Sequence, residues 1–203
     1  MVASKRHLHH WLVRLRPYGV GYFVAAFLVL GVVALFALRQ NNLGAVRLRD
    51  QLLEVDKQNG DVEAALGKLR EYMYSHMNAQ LSNDTGIYPP IQLKYTYERL
   101  SAAEKQRVQT ANQKIYNDAQ KTCEALVPNG LSGSGRIPCI QQYVDTKGQK
   151  EQSVPDALYK FDFVSPAWSP DLAGFLVVLA FMALILLIAR IAAALWLRAS
   201  LSD

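Results

Sequence analysis

Residues 172–189 read LAGFLVVLAFMALILLIA, eighteen consecutive positions without a charged side chain. A run of this length made of large apolar residues predicts a transmembrane helix. Residues 18–38, YGVGYFVAAFLVLGVVALFAL, form a second uncharged run of 21 residues. As a helix this run is about 31 Å long, which matches the hydrocarbon thickness of a bilayer. The sequence therefore predicts a protein that crosses a membrane twice.

The two runs divide the chain into five segments. We expect a cytoplasmic basic segment at 1–17, transmembrane helix 1 at 18–38, an extracytoplasmic helical domain at 39–170, transmembrane helix 2 at 171–197 and a cytoplasmic tail at 198–203. The first run is longer than the ~7–15 apolar residues of a signal peptide and has no A-x-A pattern at its end, which favours an uncleaved anchor. The predicted fold class is an all-α membrane protein, in which two transmembrane helices flank an extracytoplasmic helical bundle.

The charged residues support an orientation. The net charge is +5, yet residues 40–170 hold fifteen Lys or Arg and fifteen Asp or Glu. The positive excess lies mainly before the first run and after the second, so the positive-inside rule places both termini in the cytoplasm and the central domain outside the cell membrane. Arg39, directly after the first run, is a minor exception. Because the central domain is neutral and has no concentrated basic face, we expect no nucleic-acid partner.

Residues that favour the lipid headgroup region flank both runs. Trp has this preference, and Arg reaches the headgroups with its long side chain. Arg190 lies inside a longer apolar stretch, where it either contacts a partner helix or extends to the headgroups, and the second interpretation is favoured. Membrane lipid is therefore an expected partner, and the expected interface residues are Trp11, Arg14, Arg16, Trp168, Arg190, Trp196 and Arg198.

The chain has two cysteines, Cys123 and Cys139, and both lie in the central domain. An even number of cysteines in an oxidising compartment predicts a disulfide, whereas two free buried thiols are the alternative. With fifteen residues between the cysteines, closing the loop would stabilise the fold by about 3 kcal/mol in the chain-entropy model.

Three amphipathic helix patterns follow the first run. The first continues from it and stops at Asn59–Gly60, which suits a helix end. The second covers about 61–81, with apolar residues at helical spacing through Met77 and Leu81. The third covers about 91–127, although Glu104 and Thr122 interrupt its apolar stripe.

Two segments also fit a strand pattern. Residues 91–97 and residues 158–164, LYKFDFV, both alternate between apolar and polar side chains. One long helix through 91–97 is favoured, but strands that pair with each other remain the alternative. A further short helix is expected at 139–144, tied by the disulfide to the end of the third.

Motifs for catalysis or cofactor binding are missing from the sequence: we find no phosphate-binding glycine loop, no Gly-x-Ser-x-Gly and no metal-spaced His/Cys cluster. His7, His9 and His10 lie together, but without a carboxylate or thiol they are weak evidence for metal. We therefore expect no enzyme, with no catalytic residue, no metal site and no cofactor.

The best candidate for a protein contact is a turn in the central domain. Tyrosine is enriched at protein interfaces because it offers a large contact area with a polar tip. The turn at Tyr88, Pro89 and Pro90, with the nearby Lys94, is predicted to be exposed and far from the membrane.

Three stretches together resemble an uncharacterised group of two-span bacterial membrane proteins with an external helical domain, found in reduced-genome bacteria. They are NGDVEAAL at 59–66 leading to YSHMN at 74–78, PPIQLKYTYERL at 89–100, and SPAWSPD at 165–171. The resemblance implies the layout but no activity and no site residue. The layout is also similar to that of two-span bacterial sensors, although no output domain follows Arg198 in this sequence.

The sequence thus favours a non-enzymatic, membrane-anchored interaction or structural component of the cell envelope that acts through its extracytoplasmic helical domain. We expect a protein partner or self-association. The alternative is a ligand-binding sensory module that signals through a partner membrane subunit, which would need a sizeable pocket between helices.

Overall fold

The structure is a computed structural model that describes residues 19–81, 86, 88–127 and 135–202. Helices make up most of it, with two short strands and one 3-10 turn. In chain order the elements are α1 (Val20–Lys57), α2 (Val62–Ser75), β1 (Ile91–Gln92), α3 (Lys94–Leu126), α4 (Arg136–Lys147), the 3-10 turn (Asp156–Leu158), β2 (Lys160–Phe161) and α5 (Leu172–Ser202).

The chain folds into two compact units. Unit 1 consists of Met1–Leu52, Val62–Gly86 and Asp162–Asp203, and unit 2 consists of Leu53–Asp61 and Ile87–Phe161. Unit 1 therefore contains the apolar parts of both long helices, and unit 2 contains the last residues of α1, from Leu53, and both cysteines.

Two helices of unit 1 are long and apolar enough to span a membrane, α1 and the Leu172–Trp196 part of α5. The mean hydropathy of their most apolar windows is 2.5 and 3.0, and only 11% and 22% of those residues are buried. The core helix of a water-soluble protein would bury most of its apolar residues. Exposed apolar helices of this length are consistent with a two-pass membrane protein.

In the parts of α1 and α5 that are apolar enough to span a membrane, the buried residues are small. Ala34 and Ala37 of α1 are at most 9% exposed, as are Ala180 and Ala183 of α5. Large side chains such as Phe36 point outward instead. Small residues allow helix backbones to approach closely, which is how membrane helices gain packing contacts without a hydrophobic driving force.

Helix α1 continues without a break past Leu38 into the polar part of the sequence, as the sequence predicts. Its Ala45 and Leu52 are fully buried in unit 1. In α2, Leu69 is also fully buried, and Met73 is 1% exposed. These side chains form the apolar core of the polar part of unit 1.

Helix α2 ends at Ser75, so the prediction of a helix to about residue 81 is wrong. Asn78 has a φ of 58°, a left-handed conformation that Asn tolerates better than most residues and that ends a helix. Leu81 is nevertheless 3% exposed, so its apolar character reflects burial of an irregular segment rather than a helical stripe.

In unit 2, residues 91–97 are a strand at their start and a helix from Lys94 onward. Ile91 pairs with Phe161 and Gln92 with Lys160 in an antiparallel ladder, and α3 begins at Lys94. The prediction of a helix from about residue 91 is wrong for residues 91–93, and the alternative, pairing with 158–164, is confirmed for Ile91 and Gln92.

Cys123 of α3 and Cys139 of α4 form a disulfide, with Cα atoms 5.9 Å apart. The predicted disulfide is confirmed, and the short helix expected at 139–144 extends over Arg136–Lys147. Cys123 and Ala119 are fully buried, so α3 and α4 pack most tightly beside the disulfide.

Candidate functional site

The predicted contact surface lies in unit 2 and is exposed. Tyr88 is 78% exposed, and its peptide bond to Pro89 is cis. Pro89 and Pro90 are half-buried, while the Lys94 side chain is 73% exposed and lies 3.8 Å from Glu98. We call Tyr88, Pro89, Pro90 and Lys94 the turn surface. It offers an aromatic ring and a cation to solvent.

The turn surface rests on buried neighbours. Ile91 and Leu93 are 0% and 1% exposed, whereas Gln92 between them is exposed. The amide of Leu93 donates to the carbonyl of Tyr159 at 2.8 Å, which extends the pairing of β1 with β2. Because the alternating residues are fixed in the core, the turn before them and Lys94 after them have a defined position.

A buried carboxylate fixes the start of α3. Asp56 is 1% exposed and accepts hydrogen bonds from the amides of Tyr95 at 3.0 Å and Thr96 at 2.8 Å. The Thr96 hydroxyl donates to it at 2.6 Å, and Arg99 donates from Nη2 to the carboxylate and from Nη1 to the Asp56 carbonyl, both at 2.9 Å. Asp56 therefore acts as a helix cap supplied from a distant part of the sequence.

A second carboxylate ties the segment after α4 to the middle of α3. Glu104 accepts two hydrogen bonds from Arg107 at 2.8 Å and one from the amide of Gln152 at 3.1 Å. These bonds, that of Arg107 first, lower the pKa of Glu104 to about 2. Glu104 is the polar residue that interrupts the predicted apolar stripe, and its position is explained by this structural role.

Two pockets among the described residues of unit 2 are small. One of about 180 Å³ is lined by Leu100, Glu104 and residues 152–155, and one of about 250 Å³ is lined by Tyr143 and its neighbours on α4. Sites for small ligands usually enclose ~300–1,000 Å³. These two pockets give no support to the ligand-binding alternative.

In unit 1, polar side chains gather where α5 begins. Asn41 of α1 donates from Nδ2 to the Met77 carbonyl at 3.1 Å and to Asp171 at 2.5 Å. Ser169 is 1% exposed, donates to Asp171 at 2.9 Å and accepts from the Met77 amide at 2.8 Å. Asp171 also accepts from the Gly174 amide at 2.8 Å, which makes it the N-cap of α5. We call Asn41, Met77, Ser169 and Asp171 the polar clasp.

The polar clasp is saturated with hydrogen bonds. Burial raises the pKa of Asp171, but the bonds from Gly174, Asn41 and Ser169 outweigh it, so that the net pKa is lowered. No buried side-chain nitrogen or oxygen in the described ranges lacks a hydrogen-bond partner. The polar clasp is therefore a structural joint that ties the start of α5 to α1 and to the end of α2, without a free group for a ligand.

Tyr72 adds a bond beside the polar clasp. Its hydroxyl donates to the Asn41 carbonyl at 3.2 Å, and its ring stacks on His76 with centroids 4.0 Å apart. Burial, together with the charge of Asp171, raises the pKa of Tyr72. A Cβ on Gly44 would collide with the Tyr72 phenol, so glycine is required for this close approach.

Of the predicted membrane-interface residues, three have described side chains. Trp168 is 50% exposed and packs edge-to-face on Phe175 in the first turn of α5, while Trp196 is 62% exposed near its other end. Arg190 is half-buried within α5. Trp11, Arg14, Arg16 and the Arg198 side chain lie outside the described residues, as do His7, His9 and His10.

Within the described ranges, no three His, Cys, Asp or Glu residues come together as metal ligands would. No family model, no curated protein and no solved structure matches the chain. The resemblance to two-span bacterial membrane proteins therefore stays a prediction.

Sequence reasoning missed the residues that fix the start of α3 and those that form the polar clasp. Asp56 carried one usable signal, since it follows Leu52 by four residues and so continues the apolar stripe of α1 with a charge. Ser169 and Asn41 carried no signal in the local sequence, because their partners are distant. Ser169 and Met77 are 92 residues apart, and Asn41 and Asp171 are 130 residues apart.

Proposed function

We propose that this protein is a non-enzymatic, membrane-anchored interaction or structural component of the cell envelope. Helices α1 and α5 anchor it in the membrane, and the part between them is an extracytoplasmic helical domain that binds a protein partner or a second copy of the chain. The observation that carries the proposal is the turn surface, where exposed Tyr88 and Lys94 flank the buried Ile91 and Leu93.

The geometry of unit 2 supports a binding role. Tyr88 offers a large, rigid contact area at small entropic loss, because its backbone is held by the paired strands that follow. Lys94 adds a positive charge that can set the orientation of an acidic partner. Tyr88 and the Lys94 side chain are 78% and 73% exposed on one short segment of unit 2, which supports the turn surface as the contact.

The orientation of the chain is supported by two independent features. The excess of Lys and Arg lies before the first apolar run and after the second, which favours cytoplasmic termini. The Cys123–Cys139 disulfide fits an oxidising compartment for the domain between the two apolar runs.

A photo-crosslinking amino acid at position 88, introduced in place of Tyr88, tests the proposal in intact cells. The matched control is the same replacement of Tyr116, an α3 tyrosine that is 45% exposed. We expect a discrete crosslinked product of higher mass from position 88 and none from position 116, with mass spectrometry identifying the second component.

Two outcomes would contradict the proposal. One is the absence of any discrete product from position 88, and the other is an identical set of products from both positions. A thiol probe restricted to the cytoplasm tests the orientation separately: if it labels Cys123 or Cys139 in intact cells, the domain is not extracytoplasmic.

A further inference from the structure

Helices α1 and α5 border an apolar groove within unit 1. Its volume is about 400 Å³, and residues from Phe27 to Leu38 of α1 line one side while Val177, Ala180 and Phe181 of α5 line the other. At 1.5 Å per residue, the α1 side of the groove is about 17 Å long. This is close to half of the ~30 Å hydrocarbon core, the depth of a single leaflet.

A positive charge lies at one end of the groove. Arg39 is adjacent to the groove-lining Leu38 and follows the groove-lining Leu35 by four residues, so it lies on the same face of α1 as Leu35. Arg39 is exposed and forms no hydrogen bond or ion pair with any residue that the structure describes. It is also the cation directly after the first apolar run that departs from the positive-inside pattern.

We propose that the groove and Arg39 together bind one phospholipid, with an acyl chain in the groove and the headgroup phosphate on the Arg39 guanidinium. The length of one leaflet matches an acyl chain, whereas a partner transmembrane helix would be expected to cover the full hydrocarbon depth. Arginine pairs well with phosphate because its planar group donates two parallel hydrogen bonds. The inference does not depend on the protein contact at the turn surface, only on α1 and α5 lying in a bilayer.

The test uses the full chain in phosphatidylcholine nanodiscs that contain a minor fraction of phosphatidylglycerol. After release into mild detergent, native mass spectrometry counts the phospholipids that stay bound. We expect one retained phospholipid on the unmodified chain. The Gly31→Leu variant should lose it, because a Cβ at Gly31 meets nothing within 4 Å and the leucine side chain can fill the groove.

The Arg39→Gln variant removes the charge and leaves the groove. We expect the retained fraction to fall about fivefold, the change associated with one Lys or Arg at an anionic lipid surface. Helix content and the intact disulfide show whether Gly31→Leu folds. If it does not fold, the Arg39→Gln variant alone tests lipid binding, because the Arg39 side chain is exposed.

Two matched variants serve as controls. Gly21→Leu makes the same change on α1 outside the groove, where a Cβ again meets nothing within 4 Å, and Arg47→Gln removes an exposed charge farther along the helix. Both should retain the lipid. Equal loss in the test and control variants, or no retained lipid on the unmodified chain, would overturn the proposal. So would a dimer that Gly31→Leu dissociates, which would assign the groove to a second copy.

Discussion

The apolar segments of unit 1 and the strand region of unit 2 bury different kinds of side chain. In the parts of α1 and α5 that are apolar enough to span a membrane, the buried residues are small, such as Ala34 and Ala180, and the large side chains, such as Phe36 at 63% exposure, point outward. In unit 2 the large residues Ile91 and Leu93 are buried, and the one charged side chain buried among the described residues, Asp56, is held by hydrogen bonds. The first arrangement suits a hydrocarbon solvent and the second suits water.

This difference indicates what holds each unit together. Association of helices in lipid gains little from the hydrophobic effect, so the apolar segments of α1 and α5 would rely on close packing of small residues and on the hydrogen bonds of the polar clasp where α5 begins. The polar part of unit 1 adds the apolar core around Leu52, Leu69 and Met73. Unit 2 gains from apolar burial in water and adds two stabilising devices, the Asp56 cap and the disulfide. Substitutions that remove one device at a time can measure this contrast.

Replacing the buried carboxylate of unit 2 should have the largest effect. The Asp56→Ala variant removes the carboxylate that accepts from two α3 amides and from Nη2 of Arg99. We expect the free energy of unfolding to fall by about 4 kcal/mol, combining a lost helix cap with one broken ion pair whose carboxylate is buried and whose guanidinium is 37% exposed. Denaturant unfolding of the full chain in detergent micelles measures it.

The control for this substitution is Asp118→Ala, on an exposed face of α3. It should change stability by less than ~0.5 kcal/mol. If Asp56→Ala were as mild as this control, the Asp56 cap would not be a principal stabilising element of unit 2.

Removing the disulfide should have the next largest effect. The Cys123→Ser/Cys139→Ser double variant opens a loop with a sequence separation of 16, which should destabilise unit 2 by about 3 kcal/mol. Crosslinking at position 88 should persist in mild conditions, since the turn surface rests on β1 and β2 rather than on α4. Thermal unfolding followed by circular dichroism, with and without reductant, provides the measurement. A reductant effect on the double variant itself would show that the disulfide is not its source.

In unit 1 the sensitive position is a glycine. The Gly44→Ala variant places a methyl group against the Tyr72 phenol, so Tyr72 must move and lose its bond to the Asn41 carbonyl. We expect destabilisation by about 1.5 kcal/mol.

The matched control, Gly67→Ala in α2, adds its methyl group where nothing lies within 4 Å. It should stabilise the helix by up to ~1 kcal/mol. Opposite signs for these two glycines, measured in the same detergent, would confirm the close contact at Gly44. A Gly44→Ala/Tyr72→Ala double variant should be less than additive, because the collision is then absent.

The features that follow from local sequence were predicted well. The length and composition of the two apolar runs define α5 and the first part of α1, and the pairing of only two cysteines leaves one possible disulfide. The stripe of α3 extends close to its observed end at Leu126 because the helix is regular there.

The features that depend on distant contacts were not predictable. Beyond the end of α2 at Ser75, the Met77 amide and carbonyl bond to Ser169 and Asn41, and no residue near Met77 in the sequence indicates these distant partners. The strand pairing of Ile91 competes with its helical spacing, and its partner Phe161 lies 70 residues further along the chain. The turn surface was predicted from composition, but the rigid base beneath it depends on Asp56.

Lowering the pH should produce the smallest effect, and it should act on one carboxylate in each unit. Glu104 in unit 2 and Asp171 in unit 1 both have lowered pKa values in the folded chain. A carboxylate of this kind contributes its full stability above its unfolded pKa and loses it as the pH falls through the folded pKa. For Glu104 this window extends from 4.5 to about 2.

The Glu104→Gln variant should therefore lose less stability than the unmodified chain between neutral pH and pH ~3, while being slightly less stable at neutral pH. Thermal midpoints recorded at several pH values give the two slopes. Exposed Glu151 provides the matched control, and Glu151→Gln should leave the slope unchanged. The pH dependence of stability that remains in Glu104→Gln should include the contribution of Asp171. If the Glu104→Gln/Asp171→Asn variant has a still smaller slope, that contribution belongs to the polar clasp. If the slope of Glu104→Gln equals that of the unmodified chain, the bond between Glu104 and Gln152 does not hold the segment after α4 in place.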